Sequence, residues 1–235
     1  MTKAEGAAEQ RVEAVERALT ILEAFSDGRQ KMPLGELAQR TGLYRSTILR
    51  LAASLERFGY LHRDADGQFR LGPTLLRLGV LYRSAFDLSD YVRPILQRTA
   101  EETGETSCFY IREGTRRICL YRANASRTVR SHVEEGAELP LDRGASAHIL
   151  VAYTDGEGEG EFHEEIRRQG FYVSHGERDP ETKAVAVPVF GPDGKLAGSL
   201  GVTGPRNRFD EASCERIVGI LTAKAQALSR MLSGR

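Results

Sequence analysis

The chain has 235 residues, with 33 basic and 33 acidic side chains balancing to zero and 40% hydrophobic content. That describes one or two ordinary globular domains and excludes a fibrous or low-complexity chain. No apolar run reaches the roughly 18 residues of a membrane span, and the polar first ten residues lack the apolar stretch of a secretory signal, so a cytoplasmic protein with no membrane partner is expected.

In chain order, residues 1–11 read as a frayed tail. From Val12 a helical period appears, with Val12, Val15, Leu19, Leu22 and Phe25 at three- and four-residue steps. Asp27-Gly28 ends that helix, and Pro33 suits the first turn of a second over residues 34–40. Gly42 breaks the chain. A third helix is predicted over residues 45–57, with Ile48, Leu51, Leu55 and Phe58 inward and Gly59 as its stop. Two short alternating runs, residues 60–63 and 68–71, flank an Asp-Gly turn and read as a β-hairpin. Residues 73–86 are a further helix, taken as a linker that follows a first domain over residues 12–72.

Residues 87–235 change character. A helix over 88–103 carries Pro94 early. β-type runs follow at 107–112, 117–122 and 128–133, then a glycine-bearing loop at 136–144, a short helix at 145–153, a polar and flexible stretch at 154–160, and a helix at 161–169. Three more β-runs come at 171–174, 184–190 and 197–203, the last two joined by an Asp193-Gly194 turn, and a long helix at 211–232 closes the chain. The fold class is therefore α+β in two domains, the second with a mostly antiparallel sheet.

The charge balance of zero hides an asymmetry. Residues 1–86 hold 13 Lys and Arg against 10 Asp and Glu, and between positions 40 and 83 eight arginines meet only Glu56, Asp64 and Asp66. Clustered arginine suits a phosphate backbone, and it equally suits a solvated helix face; charge alone leaves both open. The order of elements is more specific. Helix, glycine turn, helix and basic hairpin form a winged helix-turn-helix, a device that lays its second helix in the DNA major groove. Arg45, Ser46, Thr47 and Arg50 on that helix are donors suited to phosphates and base edges, and Arg63 and Arg70 on the hairpin could clamp the flanking backbone.

The cysteines Cys108, Cys119 and Cys214 are odd in number and widely spaced, which reads as buried thiols rather than a disulfide framework or zinc site. His132, His148, His163 and His175 form no i, i+4 pair, and surface or packing roles are expected for them. No phosphate loop, nucleophile elbow or paired-carboxylate motif stands out, so no catalytic residue, metal ligand or cofactor is assigned.

These residues resemble the IclR-type bacterial transcriptional regulators. Val15-Glu16-Arg17-Ala18-Leu19, the run Leu37-Ala38-Gln39-Arg40-Thr41-Gly42-Leu43, Ser46-Thr47, Arg50-Leu51, Leu55 and Gly59-Tyr60 are similar to the family's DNA-binding half. Leu139-Pro140-Leu141, Gly144-Ala145-Ser146, Ile149-Leu150, the run from Ala184 to Phe190, and Gly201-Val202-Thr203-Gly204-Pro205 with Arg208-Phe209 are similar to its second half. The resemblance covers nearly the whole chain. It implies a GAF-like α/β effector domain that binds a small organic acid, carboxylic or aromatic, and a homodimer or dimer of dimers on operator DNA. The stretch 154–160 is shorter than the family usually has, and Tyr44 stands where small or basic residues are commoner.

The resemblance also suggests a pocket. Gly144, Ala145 and Ser146 open a helix whose N-terminal amides suit a carboxylate. Matched residue by residue to the family, Leu141, Ser174, Ala184, Gly201 and Thr203 would line the same cavity. Alternatives at this level are an enzyme with a helical docking domain, which turnover of a bound acid would reveal, and a protein–protein adaptor that uses the winged helix as a contact surface.

Overall fold

Two hydrophobic cores divide the chain into two units, Met1–Ala85 and Phe86–Arg235, in a computed structural model that describes residues 11–84, 88–125, 127, 133–154 and 156–233.

The first unit is built from α1 (Glu13–Glu23), α2 (Leu34–Thr41), α3 (Arg45–Arg57), the hairpin of β1 (Leu61–Arg63) and β2 (Phe69–Leu71), and α4 (Pro73–Ser84). Ile21, Phe25, Met32, Leu37, Ile48, Ala52, Leu61 and Phe69 form its core, drawn from the first three helices, the hairpin and the segment between α1 and α2. Burying each of the larger ones is worth about 1.5–3 kcal/mol, enough to hold three short helices that would not persist alone. The α2–α3 turn needs Gly42, whose φ of 68° is the left-handed conformation that caps α2 through its N–H to the Ala38 carbonyl (3.0 Å). The wing turns at Gly67, with the Gly67 N–H donated to the Asp64 carbonyl at 2.9 Å and β1 antiparallel to β2.

Two expectations are corrected here. Phe58 is not on the inner face; it is 68% exposed. The helical period stops at Arg57, the chain reverses at Gly59, and Ala52 takes the inner position instead. The apolar residues of α1 form two faces rather than one stripe: Ile21 and Phe25 are buried, while Val12, Val15 and Leu19 are exposed.

The second unit is a six-stranded antiparallel sheet in the order β5-β4-β3-β8-β7-β6, made of β3 (Thr106–Glu113), β4 (Arg116–Ala123), β5 (Glu138–Pro140), β6 (Tyr172–His175), β7 (Thr182–Phe190) and β8 (Leu196–Pro205). One face carries α5 (Ser89–Thr103) and the terminal α8 (Glu211–Ser233), and the other carries α6 (Ala145–Ala152), with α7 (Glu161–Gln169) packed on α6. The main core lies under α5 and α8, where Phe109, Tyr121, Val185, Val187, Leu200 and Phe209 are buried. A smaller cluster of Cys108, Tyr110, Cys119, Val133 and Leu150 lies on the α6 face. All three cysteines are free thiols, Cys108 and Cys119 buried and Cys214 half-buried.

The loop expected at 136–144 contains β5, whose three residues pair with β4 at Arg116, Arg117 and Ile118. Its Glu-Leu-Pro sequence is too short to show alternation, so only the neighbouring strand reveals it. The stretch 154–160, expected to be flexible, is tied down at two points. Arg112 pairs with Glu157 at 2.7 Å, and Arg167 donates to the carbonyls of Ala152 (2.6 Å) and Gly158 (3.0 Å). The β-run expected at 128–133 falls, apart from Val133, outside the described residues, as does His132.

Candidate functional site

Two sites follow from the sequence, one in each unit. In the first unit, α3 presents Arg45, Ser46 and Arg50 to solvent, with Thr47 half-buried beside Ile48. Among the described residues neither Arg45 nor Arg50 is in an ion pair, so both keep their donors for a partner. Tyr44, just before α3, is 85% exposed. Not every arginine of the basic segment is equally free. Arg40 is spent inside the unit, bound to Asp27 (2.8 Å), Glu36 (3.2 Å) and the Ala24 carbonyl (3.1 Å). On the wing, Arg70 is held to Asp64 at 3.2 Å, and Arg63 lies over the Phe69 ring (5.3 Å) and reaches the Gly67 carbonyl at 3.4 Å. The hydrogen bonds from Lys31 and Arg70 hold the Asp64 carboxyl below its usual range. The net positive face is therefore centred on α3, with the wing arginines oriented by their own hairpin.

In the second unit, a cavity of about 40 Å³ opens between the N-terminus of α6 and the sheet. Six of the residues expected to line a pocket meet there: Gly144, Ala145 and Ser146 from the α6 entry, Ser174 from β6, Ala184 from β7 and Thr203 from β8. The pairing of Ala184 with both Ser174 and Thr203 across neighbouring strands explains why distant segments converge. Gly201 stands behind Ser146: a side chain at that position would meet the Ser146 Oγ at 3.1 Å. Leu141 packs beside the Cys108–Tyr110–Cys119 cluster instead of on the cavity wall.

The wall also holds residues the sequence did not single out: Tyr110, Arg117, Glu177, Arg178 and Thr182. Arg117 is 3% exposed, lies over the Tyr110 ring at 5.4 Å, and leaves its Nε and Nη1 buried without a hydrogen-bond partner. Burial pulls its guanidinium below the usual range. Its Nη2 sits so near Gly144, whose φ is 95°, that a Cβ there would meet it at 3.2 Å. A cation is thus buried at the positive pole of a helix, where the dipole disfavours it.

Glu177 answers part of that charge. Its Oε2 accepts from the Gly144 N–H at 2.7 Å and from His148 Nε2 at 2.9 Å, and its Oε1 accepts from the Tyr172 hydroxyl at 2.9 Å. Burial pushes the Glu177 carboxyl up, but these three donors outweigh it and leave the group below the usual carboxylate range. Burial and the Glu177 charge push the Tyr172 hydroxyl up to about 12, so it remains a donor. His148, expected to be a packing residue, does pack, edge-on to Phe162 (5.1 Å) and Tyr172 (4.9 Å), and it also holds Glu177. A signal for Arg117 was available in the sequence. Strand alternation puts it on the face of Cys119, where a lone arginine among apolar residues is unusual. Glu177 carries no such signal, because it lies on the connection between two strands.

Family models match both units: the IclR helix-turn-helix domain over residues 14–65, and the bacterial transcriptional regulator IclR C-terminal domain over residues 80–164 and 160–230. The chain belongs to the IclR family of bacterial transcriptional regulators. IclR-family relatives include the HTH-type transcriptional regulator BhcR of Paracoccus denitrificans, 28% identical over 93% of this chain and 86% of that protein. The HTH-type transcriptional regulator KipR of Bacillus subtilis is 25% identical over 84% and 88%. An IclR regulator from Alicyclobacillus acidocaldarius superposes with a TM-score of 0.75 at 27% identity, covering 95% of this chain and 99% of that one. An IclR homologue from Microbacterium hydrocarbonoxydans, crystallised with 4-hydroxybenzoate, shares the fold with a TM-score of 0.77 at 22% identity, covering 94% and 100%. The protein is therefore a ligand-responsive, DNA-binding transcriptional regulator with a helix-turn-helix domain and an antiparallel-sheet effector domain. Among the described residues no helix is long and apolar enough to cross a membrane.

Proposed function

We propose that the regulator reads its operator through Arg45, Ser46, Thr47 and Arg50 of α3, with Arg63 and Arg70 of the wing on the flanking backbone. The cavity at the N-terminus of α6 then receives a small organic acid. The observation that carries the acid reading is Arg117, a buried guanidinium with two donors unpartnered, at the positive end of a helix and facing a cavity. An anion satisfies the guanidinium donors. The 4-hydroxybenzoate held by the Microbacterium homologue supports an acid effector for this chain as well.

The working form is a homodimer or dimer of dimers in the cytoplasm. Val12 just before α1, Val15 and Leu19 on it, and Leu76 and Leu81 on α4 leave apolar side chains in water that a second copy would cover. Two copies supply two recognition helices for half-sites about 34 Å apart. The acid alters operator affinity only to the extent that it binds one arrangement of the oligomer better than another.

The test is a gel-shift titration of the full chain on the DNA flanking its own gene, over a salt series, with and without a panel of small carboxylic acids. Sequence-selective binding with a steep salt slope, changed by at least one acid, is the expected result. Selective DNA binding that no acid alters, together with no acid raising the melting temperature, overturns the acid reading.

A further inference from the structure

We infer that the effector is a small hydroxylated aliphatic acid rather than an aromatic one, bound with its carboxylate on Arg117 and a hydroxyl on Glu177. This rests on the acid reading above and narrows it.

The first ground is the wall. Aromatic ligands are held by apolar and aromatic side chains with a few polar contacts. Here polar groups predominate: Ser146, Ser174, Thr182 and Thr203 contribute hydroxyls, three charged groups join them, and Tyr110, itself carrying a hydroxyl and covered by Arg117, is the one aromatic ring among the described wall residues, beside the small Ala145 and Ala184.

The second ground is how the charges are already used. The amide of Gly144, which a free carboxylate would seek, is taken by Glu177. An incoming acid therefore meets a resident anion at the helix pole, and the buried Arg117 guanidinium beside Gly144, with Nε and Nη1 unpartnered, is the cation that answers it, with Arg178 also on the wall. Glu177 in turn has about four acceptor positions, of which three are filled by Gly144, His148 and Tyr172. The remaining one repels a second carboxylate and accepts from a hydroxyl. A molecule that carries both a carboxylate and a hydroxyl satisfies both groups. An unsubstituted acid leaves Glu177 facing the ligand unpaired, and a neutral polyol leaves Arg117 as it is.

Isothermal titration of the full chain with glycerate, threonate, propionate, butyrate, benzoate and glycerol tests this. Glycerate or threonate should bind saturably, at least about tenfold tighter than the matching propionate or butyrate, with benzoate and glycerol silent. Glu177→Ala should erase the preference and tighten propionate, since the resident anion is gone. Arg117→Gln should weaken the hydroxy acid at least about tenfold. Arg117→Lys, which keeps the charge, serves if the first variant melts early, and should show a smaller loss in the same direction.

Benzoate binding as tightly as the hydroxy acids overturns the inference and leaves the acid-sensor reading standing. Equal affinity for glycerate and propionate, or a preference unchanged by Glu177→Ala, also overturns it. Binding of none of the acids by the folded protein overturns both readings.

Discussion

Glu177 shows how one side chain can set the character of a site. Its carboxyl is held below the usual range because Gly144, Tyr172 and His148 donate to it, against the opposing effect of burial. A carboxylate with a depressed folded value contributes stability that is fully present above its unfolded value, near pH ~4.3, and is lost as pH falls through the lower folded value. The melting temperature of the second unit should therefore drop on acidification below about pH 4.3, and Glu177→Ala should flatten that drop. Parallel curves for the two proteins would show that Glu177 is not the group responsible. Gly42 is a residue-scale constraint of another kind. Its φ of 68° belongs to the left-handed region, so Gly42→Ala should cost about 1 kcal/mol or more in denaturant unfolding of the first unit without touching any contact.

At the scale of elements, α3 divides its labour by face. Ile48 and Ala52 lock it to the core while Arg45, Ser46 and Arg50 point outward, three- and four-residue spacing giving both from one sequence. Arg50→Ala should weaken operator binding by about 1–3 kcal/mol, roughly five- to 150-fold, with melting temperature and acid binding unchanged. An operator affinity that does not move would remove α3 from the interface. The α1 helix has a similar division between Ile21 on its inner side and Val15 and Leu19 on its outer side. Leu19→Glu should shift the sedimentation profile toward the monomer and weaken cooperative operator binding, whereas an unchanged profile would mean that α1 does not bear the contact between copies.

For the whole molecule, the two units keep separate cores, and this has a measurable consequence. Ile48→Ala should cost about 2–5 kcal/mol in the first unit while the acid dissociation constant of the second stays the same; a matching loss in both would mean that the cores are not energetically separate. Much of the first unit is written in short stretches of chain. The helix of residues 45–57 begins and ends where its spacing and glycine stop say it should, and the Asp-Gly turn made the wing visible, because these are local devices whose cause lies within a few residues. Resemblance brought six wall residues of the cavity together on paper before the fold did. The remaining features depend on segments far apart in the chain. Phe58 turned outward because the cap ended its helix, the strand at Glu138–Pro140 exists because β4 offers it an edge, and Glu177 reached the α6 pole from a connection 33 residues away. The unsatisfied guanidinium of Arg117 is of the same kind. Whether a buried charge has a partner depends on what the rest of the chain brings to it, and no spacing along the sequence records that.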